Sequence, residues 1–144
     1  MPLLRHAVLA TSVCIVLFAA AGCGSPSTVR VERVWIRAAD SGATTAAYFT
    51  LINDTADTLH VTGVSGDVAE ALSLHETLRA GGMVAMRETS RLAVPPHARL
   101  AFAPGGHHVM LAGLRRKLLP GMHVNLALHA RNWPEVPLVA EVRP

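Results

Sequence analysis

Val136-Pro137-Leu138-Val139-Ala140-Glu141-Val142-Arg143 sets Val136, Leu138, Ala140 and Val142 on one side of an extended chain. Pro137, Val139, Glu141 and Arg143 then take the other side, because successive side chains of a strand point to opposite faces. The same period of two recurs upstream. Val29 and Val31 alternate with Arg30 and Glu32, and Leu59 and Val61 with His60 and Thr62. Leu100 and Phe102 share a face, as do Met122, Val124, Leu126 and Leu128. Each is the signature of a strand with one buried face. Turn-forming residues separate these runs: Asp40-Ser41-Gly42, Asn53-Asp54, Ser65-Gly66-Asp67, Gly81-Gly82, Pro95-Pro96, Pro104-Gly105-Gly106 and Pro120-Gly121. Ala43 to Ala47 and Val68 to Leu72 have room for a helical turn, but no long amphipathic helix is visible. Many short strands at such intervals predict an all-β domain, a β-sandwich or a small barrel.

The N-terminus is set apart from this pattern. Arg5 precedes an apolar run from Ala7 to Ala21, about 15 residues, which is short for a membrane span and suits a signal-peptide core. The run ends in Ala20-Ala21-Gly22-Cys23, which resembles a bacterial lipobox and would make Cys23 the lipidated first residue of the exported chain. The expected organisation is a leader at 1–22, a tether at 23–28 and one domain at 29–144. Gly24 to Thr28 reads as a flexible link between anchor and domain. The expected location is the periplasm or the outer face of the cytoplasmic membrane, with the membrane reached through the lipid. Cys14 leaves with the leader and Cys23 is consumed by the lipid, so the folded part holds no thiol and no disulfide.

Charge excludes more than it suggests. The formal excess of +3 falls to +2 when Arg5 is removed. Arg115-Arg116-Lys117 beside Gly113 and Pro120-Gly121 reads as a solvated loop. No basic stripe interleaved with aromatics is present, so nucleic acid is not an expected partner.

The chemistry-bearing residues stand out by strand phase. Leu72 and Leu74 share a face and leave His75 on the other. In His108-Val109-Met110-Leu111 the apolar Val109 and Leu111 turn inward, and His108 and Met110 come side by side on the opposite face. Gly81-Gly82-Met83-Val84-Ala85-Met86 sets two further methionines after a diglycine. Methionine is ordinarily core filler, the natural reading of Met122 in phase with Val124 and Leu126. Met110 runs out of phase with its apolar neighbours, and a soft metal explains that. Thioether and imidazole together suit Cu(I), whereas Zn(II) recruits thiolate, imidazole and carboxylate. Two His and two Met would form a neutral set that favours Cu(I) over Cu(II). Met83 is a possible additional ligand. His107 points away from His108, and His60, His97, His123 and His129 read as solvated. Trp35 and Trp133 read as core or rim aromatics.

These residues also carry a resemblance. The pattern H-x10-M-x21-H-x-M formed by His75, Met86, His108 and Met110 is similar to the signature of the periplasmic copper chaperones called PCuAC. Val34-Trp35-Ile36-Arg37, Ala47-Tyr48-Phe49, His75-Glu76-Thr77, Pro104-Gly105-Gly106 and Gly113-Leu114 resemble that family too, over Val31 to Val142. The resemblance implies a cupredoxin-like β-sandwich, a Greek-key barrel, holding one Cu(I) per chain at a surface site. It also implies delivery to the Cu(A) centre of cytochrome c oxidase, directly or through a thiol-containing copper-transfer protein. Some members carry a His- and Met-rich tail with a further copper site, and no such segment follows Arg143 here.

Three other functions compete with this one. A blue-copper electron carrier needs a cysteine thiolate beside two histidines, and the domain has no cysteine. A copper-sequestering resistance protein would use the same Cu(I) site. An enzyme is not expected, since the motif residues are soft ligands rather than acids or bases.

Overall fold

The computed structural model describes residues 27–144, so the leader, Cys23 and the first part of the tether lie outside the described residues. Ten strands follow in order: β1 Val29–Arg37, β2 Thr45–Asn53, β3 Leu59–Ser65, β4 Ala69–Ala80, β5 Met83–Glu88, β6 Leu92–Val94, β7 Ala98–Phe102, β8 His107–Leu114, β9 His123–Ala130 and β10 Trp133–Arg143. The described residues contain no helix. Ala43 to Ala47 and Val68 to Leu72, which had room for helical turns, instead lead into β2 and β4. Burial explains the choice. Val68, Ala69 and Ala47 are all interior, and strand alternation delivers them to one core.

The strands form one hydrogen-bonded order, β5-β4-β8-β7-β2-β1-β10-β9-β3-β6, which folds over on itself as a β-sandwich. Neighbours are mostly antiparallel, but β7 and β8 run parallel where Phe102 meets His107, and so do β1 and β10, with Trp35 opposite Glu141 and Ile36 opposite Val142. The core is the set read from phase. Leu138 and Ala140 are fully buried, with Val136 and Val142 nearly so, against Val124, Leu126 and Leu128 of β9 and Val61 of β3. Burying a side chain the size of Leu138 contributes about 2 kcal/mol, and core packing alone supplies the stability that disulfides give many small exported domains.

Two departures from simple alternation matter. A bulge in β1 shifts register between Glu32 and Trp35, with Arg33 at φ 54°. Val29 and Val31 pack inward before it, and Ile36 after it, so the extra residue turns Trp35 to the outer face. The second is Asn53, which closes the far end of the sandwich. Its buried side-chain nitrogen donates to the carbonyls of Asp57 (2.8 Å), Val94 (2.9 Å) and Pro95 (3.0 Å). Its oxygen accepts from the Thr55 hydroxyl at 2.7 Å and the Thr55 amide at 3.1 Å. Arg115-Arg116-Lys117 forms the expected loop between β8 and β9, with Lys117 ion-paired to Asp40 at 2.7 Å.

Candidate metal centre

Strand β8 is held by Val109 and Leu111, both fully buried, which drives His108 and Met110 to the opposite face. β4 lies along one side of β8, with His75 opposite His108 and Ser73 opposite Met110. The two imidazole rings sit 5.7 Å apart between centroids, tilted by 33°. β5 adds the fourth residue. Gly81 and Gly82 have φ of 58° and 80°, the conformation of a two-residue turn that only glycine adopts without strain, so β4 and β5 form a tight hairpin. That register sets Met86 opposite Thr77, two residues beyond His75 and therefore on the same face. Three adjacent strands thus bring His75, Met86, His108 and Met110 to one surface.

Met86, His108 and Met110 line a common cleft of about 370 Å³, with Tyr48, Thr77 and Gly105. Its rim includes Arg37 and Pro104. His75 stands beside it against His108. Met83 does not join them. It pairs with Ala80 on the other face of the hairpin and is 74% exposed. His107 also faces away, with its ring 6.0 Å from that of Phe102. Phase sets His108 on the face opposite Val109 and Leu111, which suggests display to solvent, but it is only 4% exposed. Its face is not the core face, yet neighbouring strands and the Pro104–Gly106 turn cover it. Alternation fixes the side on which a residue stands and says nothing of what lies over it.

The ring nitrogens are set by local hydrogen bonds. His108 Nδ1 lies 3.1 Å from the Gly106 carbonyl, so Nδ1–H donates and the Nε2 lone pair is left free. In His75 the arrangement is reversed. Nε2 lies 2.9 Å from the Ser73 hydroxyl, and Nδ1 is buried with no partner. A buried ring nitrogen without a partner costs about 1–3 kcal/mol, a cost that a metal ion bound at Nδ1 would remove. Ser73 and Gly106 therefore act as orienting groups, and neither was singled out from sequence for this role. Ser73 was visible in principle, since it shares the phase of His75.

An aromatic wall backs the cleft. The Tyr48 ring lies 6.5 Å from that of His108 and 4.6 Å from that of Trp35, and the Arg143 guanidinium sits 6.0 Å from the Trp35 ring. The β1 bulge is what aims Trp35 here rather than into the core. Among the described residues no cluster of three or more His, Cys, Asp or Glu is placed to hold a metal. His129 instead bonds the Ser65 hydroxyl at 2.6 Å, on the opposite half of the sandwich.

The sequence profile described as "Putative lipoprotein LpqE-like" matches residues 29–142, which is the whole folded domain. The chain belongs to the LpqE-like family. A member-like relative, "Putative lipoprotein Lxx21020" of Leifsonia xyli subsp. xyli, is 33% identical over 147 aligned residues, covering 93% of this chain and 88% of that protein. Among solved structures, Cu(I)-loaded DR1885 of Deinococcus radiodurans superposes with a TM-score of 0.63 at 29% identity, covering 87% of this chain and 83% of the other. The copper-bound PCuAC domain of PmoF2 gives a TM-score of 0.67 at 22% identity, covering 80% of this chain and 92% of that domain. The LpqE-like chain thus has the cupredoxin-like β-sandwich of PCuAC domains, and the PCuAC resemblance read from its motifs is borne out.

Proposed function

We propose that this LpqE-like protein is an exported, lipid-anchored copper chaperone that binds one Cu(I) through His75, Met86, His108 and Met110. The observation that carries the reading is the convergence of two imidazoles, each with one ring nitrogen without a hydrogen-bond partner, and two thioethers on one face of β5, β4 and β8. That donor set is soft and uncharged, as Cu(I) prefers. Relatives of the same fold whose structures were solved with copper support it. Cys23 is the proposed site of lipidation, in keeping with the lipoprotein naming of the family.

The exposure gradient suits cargo transfer. Met86 is 60% exposed and His108 is buried. An incoming thiolate or thioether would displace Met86 first and His108 last, so copper is always held by some of its donors. The proposed recipient is the Cu(A) centre of cytochrome c oxidase, reached directly or through a thiol-containing copper-transfer protein.

Anaerobic Cu(I) titration against a competing chelator tests the site. One equivalent should bind tightly, and His108→Ala or Met110→Ala should weaken binding by about 100-fold or more. Retention of wild-type affinity by both variants would sink the assignment. Deleting the gene should lower Cu(A) assembly under copper limitation. A defect confined to copper excess would instead assign the same site to sequestration.

A further inference from the structure

The β4–β5 hairpin forms one edge of the strand order, with Thr77 to Ala80 of β4 running past its pairing with β8, and every residue of β5 is exposed. Its apolar side chains lie on both of its faces. Leu78, Ala80 and Met83 share one, while Val84 and Met86 share the other. Met83 and Val84 are 74% and 58% exposed. From Thr77 to Arg87 the only charged residues are Arg79 and Arg87. Arg87 bonds Glu76 at 3.1 Å, whereas Arg79 pairs with no carboxylate among the described residues.

Strand direction says what this tip faces. β2 and β4 both run antiparallel to β8, on either side of it, and so run the same way. From the level at which His75 and Ala47 meet β8, β4 reaches Ala80 and β2 reaches Asn53 at the same end of the molecule. Asn53 pairs with Val29, the first strand residue, and the Asp54 amide donates to the Thr28 carbonyl at 2.9 Å. The chain therefore enters the domain at the end toward which the hairpin points. Gly24 to Thr28 is five residues, which spans at most about 17 Å when extended.

We propose that the tip of the β4–β5 hairpin is a membrane-contact element, seating Leu78, Met83 and Val84 in the interface of an anionic bilayer with Arg79 at the headgroups. A chain tethered to lipid at Cys23 presents this end to the membrane, and a short tether keeps it there. Apolar groups on both faces of a narrow hairpin suit lipid, which surrounds an inserted tip, better than a protein surface, which would cover one face. The lone cation suits anionic headgroups. Met86 then lies just above the membrane plane, at the level where membrane-bound acceptors present their domains.

The test uses the chain from Cys23 to Pro144, coupled through Cys23, its sole thiol, to a maleimide phospholipid in vesicles of phosphatidylcholine and phosphatidylglycerol containing brominated lipid. Two variants are compared, Met83→Trp at the tip and Leu119→Trp. Leu119 is 51% exposed and lies at the opposite end, next to the Leu118–Ala39 bridge. Native Trp35 and Trp133 contribute equally to both. Bromolipid quenching of the added indole should be about threefold or more greater in Met83→Trp, since interfacial seating brings an indole to the acyl boundary. Equal quenching in the two variants, or none at Met83→Trp, overturns the proposal and leaves the tip in water, open to a protein partner. The readout is independent of copper, so it stands or falls separately from the ligand assignment.

Discussion

At the level of single side chains, the two histidines are not equivalent. Ser73 holds His75 by Nε2 and the Gly106 carbonyl holds His108 by Nδ1, so the ring nitrogens left open to a metal differ. The expected coordination is His75 through Nδ1 and His108 through Nε2. Long-range 1H–15N spectra of the protein loaded with Cu(I) or Ag(I) should show the large shift at those two nitrogens. Metal bound through Nε2 of His75 would contradict the orientation seen here. Ser73→Ala should weaken Cu(I) binding by about tenfold without unfolding the domain, the usual penalty for losing a group that orients a metal-bound imidazole. The identities of His75 and His108 were legible from strand phase. Their ring orientation was not, because it depends on a hydroxyl and a carbonyl whose positions are set by the strand pair and the turn.

Among the elements, the hairpin is the least anchored and the most consequential. Its turn needs positive φ at both Gly81 and Gly82. Gly82→Val sets a β-branched residue there, at a cost of about 2 kcal/mol. Because β5 is an exposed edge strand, the loss should be local. Amide exchange in Met83–Glu88 should speed up while that of β10 stays unchanged, and Cu(I) affinity should fall several-fold as Met86 loses its register. Equal acceleration across both strands would show that the hairpin unfolds only with the whole domain. The same register separates Met86 from Met83. Both follow the diglycine within four residues, so sequence left Met83 open as a ligand, and the pairing of Ala80 with Met83 sends it to the other face.

For the molecule as a whole, stability rests on packing and on a few buried polar ties. Asn53 joins the end of β2 to the segment from Val94 to Pro95, strands at distant places in the sheet order. Asn53→Ala removes a donor to those carbonyls and the acceptor for the Thr55 amide, while Pro95 keeps the Ala98 amide and the Thr55 hydroxyl keeps the Asp57 carbonyl, so it should lower unfolding free energy by about 2 kcal/mol in denaturant titration. A change under about 0.5 kcal/mol would show that water replaces the amide at no cost.

Alternation along Val136–Val142, His108–Leu111 and Leu72–His75 was enough to define the strands, the core and the face carrying the metal-binding pattern, because side-chain direction in a strand is a local property repeating every two residues. Which strands lie side by side is not local. The adjacency of β5, β4 and β8, the cover over His108, the separation of Met83 from Met86 and the shared end of Val29 and the hairpin all follow from pairings between residues apart in sequence. Those pairings are chosen by burial of the whole core at once, and only the folded chain displays the result.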